Sequence, residues 1–360
     1  MIFFLGIITS AVYKLRFSST LVVVLLISSP SWSSSLLSLW KKSAQSLVLE
    51  ETNHSLFRQV HSSSKHGRHI KPNEVYPEEM LPLTNLALKG LYLGVGTERA
   101  FIATAINPQM SAAVFFDIDP AIVLYNRVNI ELLSMAVDPA DYAWLRTKAS
   151  WTDIEQRWIQ NGMQNPVLQA HFEWFIQVLR HENQGDLLNS NFLTISESAN
   201  YLKNPELCLR LMQMAKEHRI FTLRLDLKSK ESAGILQNFL KHIGLSKEPI
   251  SIVDVSNAWW ESHAGLPPIL SFFQNLKHQV PPQGILLMTT YRKPHSFHWG
   301  YFGISPSSLQ DKKSEQWISN QLAPISLTPK VSYFPSRHFG KILQRQQDPA
   351  ALLCDQIFKS

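Results

Sequence analysis

Short apolar runs and longer amphipathic stretches alternate along the chain from Leu86 onwards. The apolar runs have the length and composition of strands, and the stretches between them carry apolar residues at helical spacing. Strands that alternate with helices predict a Rossmann-like, doubly wound and mostly parallel α/β sheet. Five strands are expected, and the tail segment TPKVSYFP can supply one or two more. Four of the five lie at about 90–95, 112–116, 219–227 and 284–290, and the strand in EPISIVDVSNAWW, before the last of these, ends near Val255.

Capping residues indicate where several of the predicted helices begin and end. Asp119 precedes Pro120, and Asn204 precedes Pro205, which is the order of an N-cap followed by a proline in the first helical turn. Gly244 closes a later helix, as a glycine does when the chain must leave helical geometry.

A helical insertion is predicted between the second helix and the third strand, over residues 138–190. Its apolar spacing indicates two or three helices. An aromatic insertion of this kind is most often extra core, and it can also cover a ligand pocket. It contains four tryptophans: Trp144, Trp151, Trp158 and Trp174.

One edge of the predicted sheet collects small and polar residues. With right-handed crossovers, the carboxyl ends of parallel strands meet at one edge, where open α/β sheets bind their ligands. We therefore expect a ligand site at this edge. The residues that end the strands there are Gly94, Gly96, Asp117, Asp226, Asp254 and Thr289.

The turn after the first strand, LYLGVGTERA, argues against a dinucleotide site and excludes a P-loop. A dinucleotide site requires G-x-G-x-x-G with a small third residue, and counting from Gly94 the third position is Arg99. A P-loop requires G-K-[ST], which does not follow the turn. Alternatively, Gly94 and Gly96 only shape a turn.

A site for S-adenosylmethionine has fewer sequence requirements than a dinucleotide site or a P-loop. It needs a glycine turn that lets the backbone approach the ligand, and an acid after the second strand for the ribose hydroxyls. Asp117 lies 23 positions after Gly94, close to the roughly 20 expected of a ribose-binding acid. A carboxylate that ends a buried apolar strand also needs a partner. Asp119, in contrast, is expected to cap the helix that Pro120 opens.

These segments resemble the motifs of the class I S-adenosylmethionine-dependent methyltransferase superfamily over about residues 88–290. YLGVGTE resembles the first motif, although Tyr92 stands where the family often has an acid. FFDIDP resembles the second-strand motif, and the resemblance puts Asp117 on the ribose. LRLDL resembles the third, which implies that Asp226 contacts the adenine amino group. IVDVSNAWW resembles the fourth, which implies that Asp254 to Asn257 lines the methyl-transfer site and contacts the cofactor.

The chain also resembles a bacterial group of methyltransferase-like proteins of unassigned activity. The resemblance implies S-adenosylmethionine as cofactor and a methyl acceptor that the sequence does not identify. Transfer to a neutral oxygen or nitrogen needs a base, for which Asp254, His295 and His298 are the candidates. The two histidines lie in an aromatic segment, TTYRKPHSFHWGYFG, that reads as a loop and lacks a third ligand for a metal site.

A second function class stays open beside the enzyme, namely a non-catalytic Rossmann-like binding or interaction module, possibly a secreted effector. Export favours this class, because S-adenosylmethionine is made in the cytosol. A hydrolase is disfavoured by the lack of a G-x-S-x-G or H-E-x-x-H signal. The net charge is +6, yet no basic stripe interleaved with aromatic residues indicates nucleic-acid binding.

The N-terminal segment predicts export to the periplasm or the medium. Lys14 and Arg16 precede the apolar run 21–27, and small residues including Ser31 and Ser33 follow it. This is the order of a secretory signal peptide, which would engage the export machinery. An uncleaved inner-membrane anchor is the alternative, and both interpretations export the body of the protein.

The predicted organisation follows from these segments. Hydrophobic residues make up 45% and charged residues 17% of the 360 residues, so the chain can bury a sizeable core. Cys208 and Cys354 form no disulfide framework, and Cys208 is expected to be a small buried group on a helix. The expected segments are a signal peptide or anchor (1–33), a polar basic linker (34–87), a methyltransferase-like Rossmann domain (88–345) and a tail (346–360).

Overall fold

A computed structural model describes residues 77–161, 169–183, 195, 197–259, 263–291, 299–309 and 331–334. All of them lie in one compact unit, Thr52–Ser360.

Strands and helices alternate along the described chain as the apolar pattern predicts. A 3-10 turn at Pro77–Met80 leads into the short helix α1, and a second 3-10 turn lies at Pro306–Leu309. The elements in chain order are α1 (Leu81–Thr84), β1 (Gly90–Val95), α2 (Glu98–Ile106), β2 (Met110–Asp117), α3 (Pro120–Met135), α4 (Pro139–Thr147), α5 (Trp151–Gln160), α6 (Gln169–Asn183), α7 (Pro205–Lys216), β3 (Ile220–Arg224), α8 (Ser232–His242), β4 (Ile250–Ser256), α9 (Leu266–Asn275), β5 (Ile285–Tyr291), β6 (Trp299–Ile304) and β7 (Val331–Phe334).

The seven strands form one sheet in the order β3-β2-β1-β4-β5-β6-β7. The first five strands are parallel and have the order of a doubly wound fold. In this order, successive strands are added first on one side of β1 and then, from β4 onwards, on the other side. β6 runs antiparallel to β5, and β7 is parallel to β6. The predicted fold class is therefore confirmed, including the helices α4, α5 and α6 between the second helix of the alternating pattern and the third strand.

Two elements differ from their predicted extents. The segment interpreted as an aromatic loop contributes strand β6 from Trp299, which pairs with β5 along its length. Strand β3 ends at Arg224 rather than near Leu227, because the Asp226 carboxylate accepts a hydrogen bond from the Lys228 N–H at 2.9 Å and forms a turn. Local turn chemistry ends this strand before its apolar pattern does.

The core forms two clusters that divide the side chains of the sheet by alternation along its strands. The larger cluster holds α2, α3, α7 and the insertion helices, and Tyr125 stacks near Phe175 with ring centroids 4.8 Å apart. The smaller cluster holds α8 and α9. Cys208 is buried as a free thiol, as its helical position predicts. The insertion is thus part of the main core.

The end of the predicted linker also packs on this core. Met80, Leu83 and Ala87 recur at helical spacing and are buried in the larger cluster. The folded body therefore begins before residue 88. Among the described residues, no helix is long and apolar enough to cross a membrane, and the predicted signal segment lies outside them.

Candidate functional site

The two glycines of the turn after β1 have different surroundings. Gly96 adopts a left-handed φ of +96°, and a Cβ atom built on it would meet nothing within 4 Å. A Cβ on Gly94 would lie 2.4 Å from a ring carbon of Tyr92 and 2.8 Å from its hydroxyl. Gly94 is therefore accounted for by packing against Tyr92, whereas Gly96 borders open space.

Asp117 lies beside this open turn. β1 and β2 pair so that Val95 is opposite Phe116, which puts Asp117 next to the start of the glycine turn. Its carboxylate is half-buried and accepts a hydrogen bond from the Asp119 N–H at 2.9 Å. Burial raises the pKa of the Asp117 carboxyl to about 7, against the opposing effect of that hydrogen bond. The carboxyl therefore changes charge near neutral pH.

The two residues that follow Asp117 have different surroundings. Asp119 caps α3 by accepting the Ala121 N–H at 2.8 Å, as predicted from Pro120. Ile118 leaves 52% of its surface exposed at the same strand end. An exposed apolar side chain next to a half-buried acid is suited to a ligand with both a ring and hydroxyl groups.

Asn126 on α3 is hydrogen-bonded to the glycine turn. Its Nδ2 donates to the Gly96 carbonyl at 2.8 Å, which fixes the orientation of the amide. Its Oδ1 is buried, and no described residue donates a hydrogen bond to it. A buried acceptor without a donor is costly, so this atom is a candidate partner for an N–H group of a ligand. We call Gly96, Asp117, Ile118 and Asn126 the open half of the edge.

The other half of the edge, between β1 and β4, is filled by a buried ion pair. Arg99, in the first turn of α2, donates to both oxygens of Asp254, at 2.7 Å from Nη2 and 3.1 Å from Nε. The Tyr92 hydroxyl and the Ser256 N–H complete the set of donors to the carboxylate. The guanidinium also lies 5.4 Å from the centroid of the Tyr301 ring. We call Tyr92, Arg99, Asp254 and Ser256 the closed half.

This arrangement changes the interpretation of Asp254. The residue has no exposed surface, and donors occupy both of its oxygens. A carboxylate in that position has no free lone pair directed at an incoming acceptor. Asp254 therefore fits a structural partner of Arg99 better than a base or a cofactor contact.

Ser256 gives the closed half an unusual backbone. It has a left-handed φ of 50°, which is rare for a residue with a side chain. The Ser256 N–H donates a hydrogen bond to the Asp254 carboxylate, and the Ser256 hydroxyl lies 3.4 Å from the Thr289 hydroxyl. Trp259 donates to the Thr289 carbonyl at 2.7 Å. The carboxyl ends of β4 and β5 are thus tied together.

Glu98 is part of a second buried network, which the sequence did not reveal. Its carboxylate accepts hydrogen bonds from Tyr125 at 2.5 Å and Tyr201 at 2.6 Å and forms an ion pair with Arg146 of the insertion. Arg146 also donates to Tyr142 and Asn129. Burial alone would lower the pKa of Arg146, but Glu98 and the tyrosine oxygens raise it well above its usual value. We call these six residues the insertion network.

Asp226, His295 and His298 are the remaining predicted residues. The chain just before Asp226 reaches the open half, because the Leu225 N–H donates to the Asp117 carbonyl at 2.9 Å. Asp226 lies in the turn after β3, where it bonds the Lys228 N–H. His295 and His298 lie outside the described residues. Among the residues that the structure covers, no group of three acidic, histidine or cysteine side chains could hold a metal.

A groove of about 590 Å³ lies on the insertion rather than on the sheet edge. It contains none of the predicted site residues. Its walls come from the start of α5 and from α6, and include Trp151, Phe172, Glu173 and Gln177.

Comparison with known proteins gives a family and a set of similar folds. No curated protein sequence matches the chain. Solved structures similar to it include two of the rRNA methyltransferase aviRa from Streptomyces viridochromogenes, at 2.4 Å and 1.5 Å resolution. Both are 14% identical to this chain and cover 64% of it, with 80% and 78% of their own chains aligned and TM-scores of 0.35 and 0.32.

The family model matches a larger part of the chain. The model described as Domain of unknown function (DUF7790) aligns with residues 69–320, a range that includes strands β1 to β6 and the whole insertion. The chain therefore belongs to the DUF7790 family.

Proposed function

We propose that this protein binds S-adenosylmethionine at the open half of the edge and is an exported methyltransferase-like protein. The observation that carries the proposal is the register of β1 and β2, which sets the unobstructed Gly96 turn beside the half-buried Asp117. Open α/β sheets bind ligands at the carboxyl ends of their strands, and the described side chains leave the Gly96 side of that end open.

The open half offers three kinds of contact that such a ligand requires. Asp117 would accept the ribose hydroxyls, and Ile118 offers an apolar surface to a planar base. Asn126 Oδ1, buried without a donor among the described residues, would accept an N–H group. Asp226 stays the proposed partner of the adenine amino group. When bound, S-adenosylmethionine supplies a methyl group activated by its sulfonium.

Within this proposal, the base for methyl transfer would come from His295 or His298. Asp254 is less suited to the role because Arg99 and Tyr92 occupy its oxygens. The methyl acceptor would be a group that needs to lose a proton, such as a neutral oxygen or nitrogen.

A non-catalytic binding module is the second candidate, and the closed half favours it. A buried ion pair stands where the strand order reverses, which is the usual centre of a ligand site in this fold. A protein that kept ligand binding but lost transfer would bind S-adenosylmethionine and S-adenosylhomocysteine without converting one to the other.

Calorimetry on the full chain tests the proposal, with S-adenosylmethionine, S-adenosylhomocysteine, adenosine and NAD as separate titrants. We expect the first two to bind and NAD not to bind. Gly96→Val should abolish binding, because its side chain enters the open space beside the turn. Its left-handed φ of +96° also strains a β-branched residue, so the affinity is measured only on protein that keeps the wild-type circular dichroism spectrum. Wild-type protein that binds neither sulfur ligand would contradict the proposed function. Binding without conversion to S-adenosylhomocysteine when a cell extract is supplied as a source of methyl acceptors would select the non-catalytic candidate, because transfer requires an acceptor.

Export is a separate part of the proposal and rests on the order of charged, apolar and small residues in 1–33. Mass spectrometry of the periplasmic or extracellular fraction should find a mature N-terminus near Ser34. Cytosolic protein that retains Met1 would contradict export and would leave the binding proposal intact.

A further inference from the structure

The insertion network joins the helical insertion to the glycine turn. Glu98 is the first residue of α2 and stands two positions after Gly96, while Arg146 stands in the last turn of α4. Both side chains are at most 1% exposed. The two residues are 48 positions apart in sequence. Their ion pair therefore fixes the start of α2 against an element that the basic alternating fold does not contain.

Helix α3 carries two adjacent residues that take part in this connection. The Tyr125 hydroxyl donates to Glu98, and the Asn126 amide donates to the Gly96 carbonyl at 2.8 Å. One helix thus contacts the network and the turn at consecutive positions. A displacement of Glu98 would therefore move the glycine turn, which lies two residues before it and is bonded to Asn126.

Stability alone does not account for the ion pair. A buried pair gives up the hydration of both charges, and apolar side chains of similar volume often stabilise a fold equally well. The network is also incompletely satisfied, because Arg146 Nε and Asn129 Nδ2 are buried without an acceptor among the described residues. Burying polar atoms without partners opposes folding. The pair does fix the relative orientation of the two side chains, because the planar guanidinium and the carboxylate restrict each other's position.

We propose that Arg146 is a positioning residue through which the insertion sets the conformation of the Gly96 turn, and so controls ligand affinity at the open half. The affinity part rests on the proposed function, whereas the conformational part does not. Arg146 itself touches Glu98, Tyr125, Tyr142, Tyr201 and Asn129. Within the described part of the chain, Glu98 and α3 connect it to the turn.

Hydrogen–deuterium exchange and calorimetry on the full chain test this proposal in parallel. The informative variant is the double substitution Glu98→Gln with Arg146→Met, which removes both charges at similar volume and leaves no ion unpaired in the core. Arg157→Met is the matched control, because Arg157 forms an ion pair with Asp141 inside the insertion and does not reach the turn. Arg146→Met alone is not needed, since it strands the Glu98 charge and can prevent folding.

We expect the double variant to fold and to exchange about ten-fold faster than wild type in the peptide that covers 94–99, because local opening becomes easier there. Its affinity for S-adenosylhomocysteine should fall by about five-fold or more, with the control unchanged in both measurements. A double variant that folds and exchanges at the wild-type rate over 94–99 would overturn the proposal, as would a control that exchanges equally fast. If wild type binds no S-adenosylhomocysteine, the proposed function fails, and the exchange measurement still decides whether Arg146 positions the turn.

Discussion

The two halves of the carboxyl edge lie on either side of β1, the closed half towards β4 and the open half towards β2, and they have opposite properties. In the closed half, Arg99 and Asp254 are almost completely buried and fully supplied with partners. In the open half, Gly96 borders empty space, Asp117 is half-buried and Ile118 is largely exposed. The comparison teaches that the position where a fold usually binds ligands can be closed by one ion pair, with free surface remaining beside it.

The difference between the closed half and the open half predicts how substitutions in each should act. Changes in the closed half should cost stability and leave the affinity of the folded protein nearly unchanged. Changes in the open half should alter affinity, and some of them should increase stability, because ligand sites commonly retain groups that do not favour the folded state.

The largest effect is expected from Asp254→Ala. This substitution leaves the Arg99 guanidinium buried without its partner, and breaking a buried pair on one side costs about 3–5 kcal/mol. Urea unfolding followed by circular dichroism should show the loss. Asp226→Ala is the control for stability, because the Asp226 carboxylate accepts the Lys228 N–H in a turn and losing this bond should cost about 0.5–1 kcal/mol. A loss at Asp254 no greater than at Asp226 would mean that the closed half is not a structural unit.

Gly94→Ala should have the next largest effect and separates the two glycines. Its Cβ would lie 2.4 Å from the Tyr92 ring and displace a side chain that donates to Asp254. Overpacking of this kind costs about 1–3 kcal/mol. The free energy of unfolding should fall, while the affinity for S-adenosylhomocysteine at a temperature where the protein is folded should hold. Gly96→Ala should instead weaken the affinity, and its left-handed φ of +96° should also cost about 1–2 kcal/mol of stability. The reverse pattern would exchange the roles of the two glycines.

Asp117→Asn should stabilise the protein and weaken ligand binding. Between about pH 4, where an unfolded Asp ionises, and about pH 7, the folded carboxyl holds a proton that the unfolded chain has released. The free energy of unfolding of the wild type therefore falls as the pH rises through this interval. With solvent screening of a half-buried group, we expect the variant to gain about 1–2 kcal/mol at pH 8 and to lose this pH dependence.

The binding measurement on the same variant completes this test. Charge-assisted hydrogen bonds contribute about 1.5–3 kcal/mol each, so Asp117→Asn should lose at least about ten-fold in affinity. A variant that is more stable and binds as tightly as wild type would remove Asp117 from the site.

The smallest effect is expected from Asp119→Ala, the neighbour of Asp117 in the same segment. Its carboxylate caps α3, and losing an N-cap costs about 1 kcal/mol. Thermal unfolding should show this loss, and calorimetry should show little change in affinity. If Asp119→Ala lost binding while Asp117→Asn did not, the carboxylate that binds the ligand would be Asp119 rather than Asp117.

The sequence by itself determined the features that depend on neighbours along the chain. Apolar runs and helical spacing predicted β1 to β5 and the insertion, because periodicity reflects which face of an element is buried. The caps at Asp119 and Asn204 were predictable because an N-cap bonds residues only two or three positions away. The collection of Gly96 and Asp117 at one edge followed from the parallel order of the strands.

Only the tertiary structure decided which residues at that edge are free. Glu98 and Arg99 read as an ordinary first helical turn, yet their partners lie 48 and 155 positions away. Gly94 and Gly96 look equivalent in the sequence, and the Tyr92 ring, held by Asp254, makes them different. Pairing across such separations depends on how elements pack rather than on local pattern. A buried charge needs a partner, and only the packing of the core determines which residue lies close enough to be that partner.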